Sequence, residues 1–146
     1  MSHQSLSPLA ASSHPSSAIP DNQTQTEILT YFRECLTGLI SYDEVLFPDS
    51  LHAFNATAST NIGNAAGRAL HCGILALASR HMVNKGQVCF ERISEQLGVE
   101  GSEIIMERLK GVERIDELSE EEAITLLAGL LMHLMYKVTA YLTFCL

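Results

Sequence analysis

The side chains of this 146-residue chain best suited to hold a metal or move a proton are its six histidines and four cysteines. His71 and His81 stand ten positions apart, a spacing that brings no two imidazoles onto adjacent turns of one helix. Neither His-Glu-x-x-His nor Glu-x-x-His occurs, which removes the zincin and di-iron bundle patterns. His133 lies in an apolar helical stretch, where a hydrogen-bonded core histidine is the expectation. Cys35, Cys72, Cys89 and Cys145 are separated by 37, 17 and 56 positions, unlike any Cys-x-x-Cys zinc or redox site. With no secretory signal at the polar N-terminus, these thiols are expected free, reduced and buried. A Gly-x-Ser-x-Gly elbow and a glycine-rich phosphate loop are also missing from the sequence. The expectation is a non-enzyme with no catalytic residue, no metal and no cofactor.

Charge narrows the partners. Seventeen acids against nine bases give −8, and no two Lys or Arg residues are adjacent, so the clustered cations of a nucleic-acid binder are missing. Residues 91–122 hold eleven acids and four bases, −7 of that total. Such a stretch is expected as the solvated face of short helices, with an acidic contact surface as the alternative.

Apolar spacing outlines the elements that carry these groups. Residues 1–26 are rich in Ser, Pro, Gln and Thr without an apolar period, and are expected to form a disordered tail. From Glu27, the residues Ile28, Leu29, Phe32, Leu36, Leu39 and Ile40 fall on one helical face. A loop over 41–61 follows, with a short helix at 51–54. The stretch from Asn64 to Asn84 has no proline and is apolar almost all round, interrupted by a strip of Arg68, His71 and Ser79. It belongs inside a helical stack, and its small residues Gly67, Ala69, Gly73 and Ala76 would admit a close neighbour. Two short helices are expected next. The first runs from Val88 to Leu97, burying Val88, Ile93 and Leu97 and stopping at Gly98. The second runs from Glu103 to Lys110, capped by Ser102, burying Ile104, Ile105 and Leu109 and stopped by Gly111. A capping box, Ser119 with Glu122, opens a leucine-rich helix that runs to the chain end. The fold class is all-α: an irregular array of about four to six helices, with 27–146 as one domain.

At Leu70-His71-Cys72-Gly73-Ile74-Leu75-Ala76-Leu77-Ala78-Ser79-Arg80-His81 the chain resembles the fungal-specific transcription factor domain, the helical regulatory region of fungal zinc-cluster regulators. In that family a small-and-apolar helix with such a signature is followed by paired short helices and a long leucine-rich one. The resemblance covers roughly residues 27–142 and implies a nuclear, transcription-regulatory role. The six closely spaced cysteines and basic residues of the family's DNA-binding module have no counterpart here, so no DNA contact carries over. The resemblance therefore implies a shortened member, or a fragment truncated inside its last helix.

The residues expected to matter are packing residues. Leu70, Ile74 and Leu77 are candidates for the core. Leu127, Leu130, Leu131, Leu134 and Val138 are candidates for an interface, because a few helices cannot cover the whole circumference of the last one. A homo-oligomer or a helical protein partner is expected. A generic cytoplasmic adaptor dimerising through the same helix is the alternative, and a C-terminal membrane anchor comes after it. Residues 123–146 are long enough to span a bilayer, but Lys137 near the middle would cost ~2.5–3.5 kcal/mol.

Overall fold

The apolar girdle around residues 64–84 becomes the centre of the molecule. The computed structural model describes residues 18–36 and 64–145, with side chains as far as Leu142. Helix α1 (Asn22–Tyr31) passes into a π-helical turn, Phe32–Leu36. Helix α2 spans Ala65–Asn84. A 3₁₀ turn at Val88–Phe90 leads into α3 (Glu91–Leu109), and another at Ile115–Glu117 leads towards α4 (Glu120–Cys145). The fold is all-α, with four α-helices and no strand among the described residues. Helix α2 packs against each of the other three.

Helix α2 starts where the sequence places it. The Asn64 carboxamide oxygen accepts from the Gly67 amide at 2.8 Å, the side-chain cap that asparagine supplies at an N-terminus. Leu70, Cys72, Ile74, Leu75, Leu77 and Met82 are buried and join Ile28 of α1 and Phe32 and Leu36 of the π-helical turn in one core. The expected polar strip is a correction: only Arg68 stays exposed, whereas His71 and Ser79 are buried. Ser79 Oγ and His71 Nε2 are bonded inside the fold. Ser79 Oγ donates to the Leu75 carbonyl at 2.6 Å, and His71 Nε2 meets Gln25 Oε1 at 2.7 Å. Bonded in this way, the hydroxyl and the neutral imidazole enter the core at a reduced desolvation cost.

Order begins earlier than Glu27. Asp21 caps α1, its Oδ1 accepting from the Thr24 amide at 2.8 Å, and the Ala18 amide donates to Glu100 Oε2 of α3 at 2.7 Å. Residues 18–26 are therefore tied to the body by polar contacts, which apolar periodicity does not register. The remainder of the expected tail, Leu39, Ile40 and the 41–61 loop with its short helix lie outside the described residues.

The largest correction is at α3. Two helices broken at Gly98 were expected; one helix runs unbroken through Gly98 and Gly101 to Leu109, so Ser102 caps nothing. The glycines serve approach rather than termination. Ser94, Leu97, Gly98, Gly101 and Ile105 form the buried face, and its small members leave a groove for side chains of α4. Val88 and Leu109, expected inside, are exposed, while Phe90 takes the inward position in the 3₁₀ turn. Gly111, with φ of 83°, does stop the helix.

Half of the expected capping box is present at α4. Ser119 Oγ accepts from the Glu122 amide at 3.1 Å, but the Glu122 carboxylate pairs with Arg108 of α3 instead of reaching back. That pair clamps the two helices beside a small cluster of Ala66, Leu118 and Leu126.

Candidate interaction surface

Two features of α4 follow from its sequence, one on each side. Its inward side carries Leu126, Ala128, Met132 and His133, all buried. Gly129 lets the α2 backbone come so near that a Cβ there would lie 3.3 Å from the Leu70 nitrogen. His133 fills the junction of three helices. A Cβ on Gly101 of α3 would collide with its Cε1 and Nε2, and one on Gly73 of α2 would lie 3.2 Å from its Cδ2 and Nε2. Its Nε2 is 3.3 Å from the Ala69 carbonyl, an acceptor, so Nε2 carries the proton. Nδ1 has no partner among the described residues, and protonating it would bury an unbonded N–H. Burial accordingly holds the His133 imidazole below its ordinary pKa, with Lys137 acting in the same direction and the Ala69 bond opposing.

The other buried titratable groups follow the same physics. Burial pushes His71 down to about 4 and the Cys72 thiol up to about 12, so both are neutral in the fold. His81, lowered by burial and by Lys85, meets the Tyr31 hydroxyl through Nδ1 at 2.6 Å. Among the described residues, no three His, Cys, Asp or Glu side chains gather as a metal site. Cys72 is buried as expected, but Cys35 and Cys89 are exposed free thiols, a correction to the all-buried expectation. Each lies next to a buried apolar residue, Leu36 and Phe90, and helical phase turns the cysteine outward.

The outward side of α4 bears the candidate interface. Leu127 is 54% exposed, Leu134 57%, Val138 56% and Tyr141 69%, with Leu130, Ile124 and Leu142 also exposed. Leu131 departs from the expected set: it is half-buried at the margin, packed against the core cluster. Ile124, Tyr141 and Leu142 extend the stripe beyond the residues singled out from the sequence. Heptad spacing is the signal that would have found the first two. Ile124, Leu127, Leu131, Leu134, Val138 and Tyr141 alternate steps of three and four residues. The only full charge on the strip between the Glu120–Glu122 trio and Leu142 is Lys137, exposed at its edge.

No family model, curated protein or solved structure matches the chain. Helix α4 is also, among the described residues, the one helix long and apolar enough to cross a membrane, over Glu120–Leu142. Such length is shared by core helices of soluble proteins, and the inward side of α4 is occupied by α2 and α3.

Proposed function

We propose that this chain is a non-enzymatic helical interaction module whose contact surface is the outward face of α4. The observation that carries the reading is the continuous exposed stripe of Leu127, Leu130, Leu134, Val138 and Tyr141. Scattered apolar residues on a surface need no explanation, but a contiguous patch of this kind marks a contact. Internal bonding of His71, His81 and His133 supports a structural role for the groups best suited to catalysis. The transcription-regulatory, nuclear setting rests on the resemblance at Leu70–His81. Those residues are α2 packing residues, and an interaction module asks nothing more of them. A membrane anchor is less well supported. Inserting α4 would strip Leu126, Met132 and His133 from α2 and α3 and place Lys137 in hydrocarbon.

A fluorescein-labelled amphipathic peptide with leucines at heptad spacing tests the surface when titrated with dilute chain. Saturable binding that is lost in Leu134→Glu, with helical circular dichroism unchanged, is expected. Equal anisotropy curves for the two proteins would remove α4 as the contact.

A further inference from the structure

We infer that the partner of this face is a second copy of the chain, with α4 packed antiparallel against α4. The inference rests on the reading of α4 as a contact surface and adds the identity and orientation of what covers it.

The stripe complements itself when one copy is reversed. A two-fold axis midway between Leu131 and Leu134 makes three kinds of layer: Ile124 against the partner's Tyr141, Leu127 against the partner's Val138, and Leu131 against the partner's Leu134. The five exposed heptad positions, and the part of Leu131 that the core leaves uncovered, then meet apolar partners, and the same patch serves both copies, as a two-fold interface requires. Tyrosine, the largest, is matched with isoleucine, whereas a parallel pair would set Tyr141 on Tyr141.

Charge selects the same orientation. Glu120, Glu121 and Glu122 sit at the start of α4, with Glu120 and Glu121 exposed. Parallel helices would gather the four exposed carboxylates of Glu120 and Glu121 at one end of the seam, on chains that already carry −8 each. The antiparallel pair separates the two trios by roughly 35 Å along the helix, several Debye lengths at physiological salt.

Area agrees with a dimer of modest strength. The fractional exposures of the stripe amount to on the order of 600 Å² of side chain per copy, so a pair buries at most roughly 1,200 Å², the lower end for stable interfaces. The lone basic group, Lys137, falls at the edge of that seam, where its ammonium keeps its water.

Sedimentation equilibrium and disulfide trapping test the inference together. The unmodified chain is expected to sediment at twice its 16.0 kDa mass at tens of micromolar. For orientation, Cys35, Cys89 and Cys145 are replaced by serine, and Ile124→Cys and Tyr141→Cys are made separately in that background. In the antiparallel pair, like positions are roughly 25 Å apart, too far for a disulfide. Oxidation should therefore give covalent dimer only when the two variants are mixed. Covalent dimer from either variant alone would overturn the orientation. A monomeric chain overturns the whole inference, and its behaviour then reports on the underlying reading. If it still binds the heptad peptide through Leu134, α4 remains a contact for another protein. If it binds no peptide and partitions onto phosphatidylcholine–phosphatidylserine vesicles, both readings fail. Both also fail if Leu134 is protected in the monomer itself, which would mean that the face is covered within one copy. Should the cysteine variants lose helical circular dichroism, the mass of the unmodified chain decides.

Discussion

Replacing Gly101 with alanine sets two effects of opposite sign against each other. A glycine in the middle of α3 is worth about 1 kcal/mol less than alanine on helix propensity, so the substitution alone should stabilise. The added methyl, however, meets His133 Cε1 and Nε2 and lies 3.0 Å from Cys72 Cβ. The imidazole has nowhere to retreat, because Gly73 of α2 closes its other side and the Ala69 carbonyl holds its Nε2. Swinging the ring away would leave a buried N–H unbonded, a cost of about 1–3 kcal/mol, and overpacking itself typically costs about 1–3 kcal/mol. Collision therefore outweighs propensity, and a net loss of about 2–3 kcal/mol is expected from Gly101→Ala. Gly98→Ala provides the contrast. Its Cβ would lie 2.5 Å from Tyr136 Cε1, but that ring is only partly buried and can pivot outward, so a change within about 1 kcal/mol is expected. Urea unfolding followed at 222 nm, at one fixed chain concentration, measures both, since self-association of the folded chain shifts apparent stability. A double-mutant cycle of Gly101→Ala with His133→Ala should return a coupling of at least about 1 kcal/mol, since the smaller side chain makes room. If Gly101→Ala were stabilising, or the cycle strictly additive, the close packing of α3 and α4 around His133 would be refuted.

Further expectations follow from the buried groups and the caps. His71 is held neutral down to about 4, whereas an unfolded histidine takes its proton near 6.5, so the unfolded chain binds more protons between those values. Stability is therefore full above about pH 7 and falls by about 2 kcal/mol from His71 alone between pH 7 and 5, before most carboxylates titrate. Urea midpoints that stay level over that interval, or fall as steeply in His71→Gln, would contradict it. Maleimide labelling with peptide mapping should modify Cys35 and Cys89 in the folded chain and reach Cys72 only on unfolding; early labelling of Cys72 would mean that the α2–α3 contact opens. Ser119→Ala, which removes the acceptor for the Glu122 amide, should lower stability by about 1 kcal/mol, read from the same urea curves.

Much of the fold was legible because its signals are local. The proline-free apolar run from Asn64 to Asn84 places α2 correctly, and Gly111 marks the end of α3. What could not be read locally was decided by tertiary contacts. Gly98 is a fair helix stop by its own propensity. Here, continued burial of Gly101 and Ile105 keeps the helix going, and the glycines make space for Tyr136 and His133. The start of α1 is hidden for a similar reason: Gln25 and Ala18 are tied down by His71 and Glu100, residues 46 and 82 positions away. The interface candidates were visible as leucines in excess of what a small helical set can cover. Their extension to Ile124 and Tyr141 needed the heptad register, and the partial burial of Leu131 needed the position of the α2–α3 core.

Hydroxyl-radical footprinting reports most directly on whether the α4 face is a protein contact. Val88 and Met106, exposed on other parts of the surface, serve as internal references. In chain at tens of micromolar, oxidation of Leu127, Leu134 and Tyr141 should fall well below the level that their exposure in a single copy allows. Dilution towards nanomolar should restore it, leaving Val88 and Met106 unchanged at both concentrations. Oxidation of Leu127, Leu134 and Tyr141 that is as strong as that of the references, normalised for residue type and independent of concentration, would show the face bare and contradict the account.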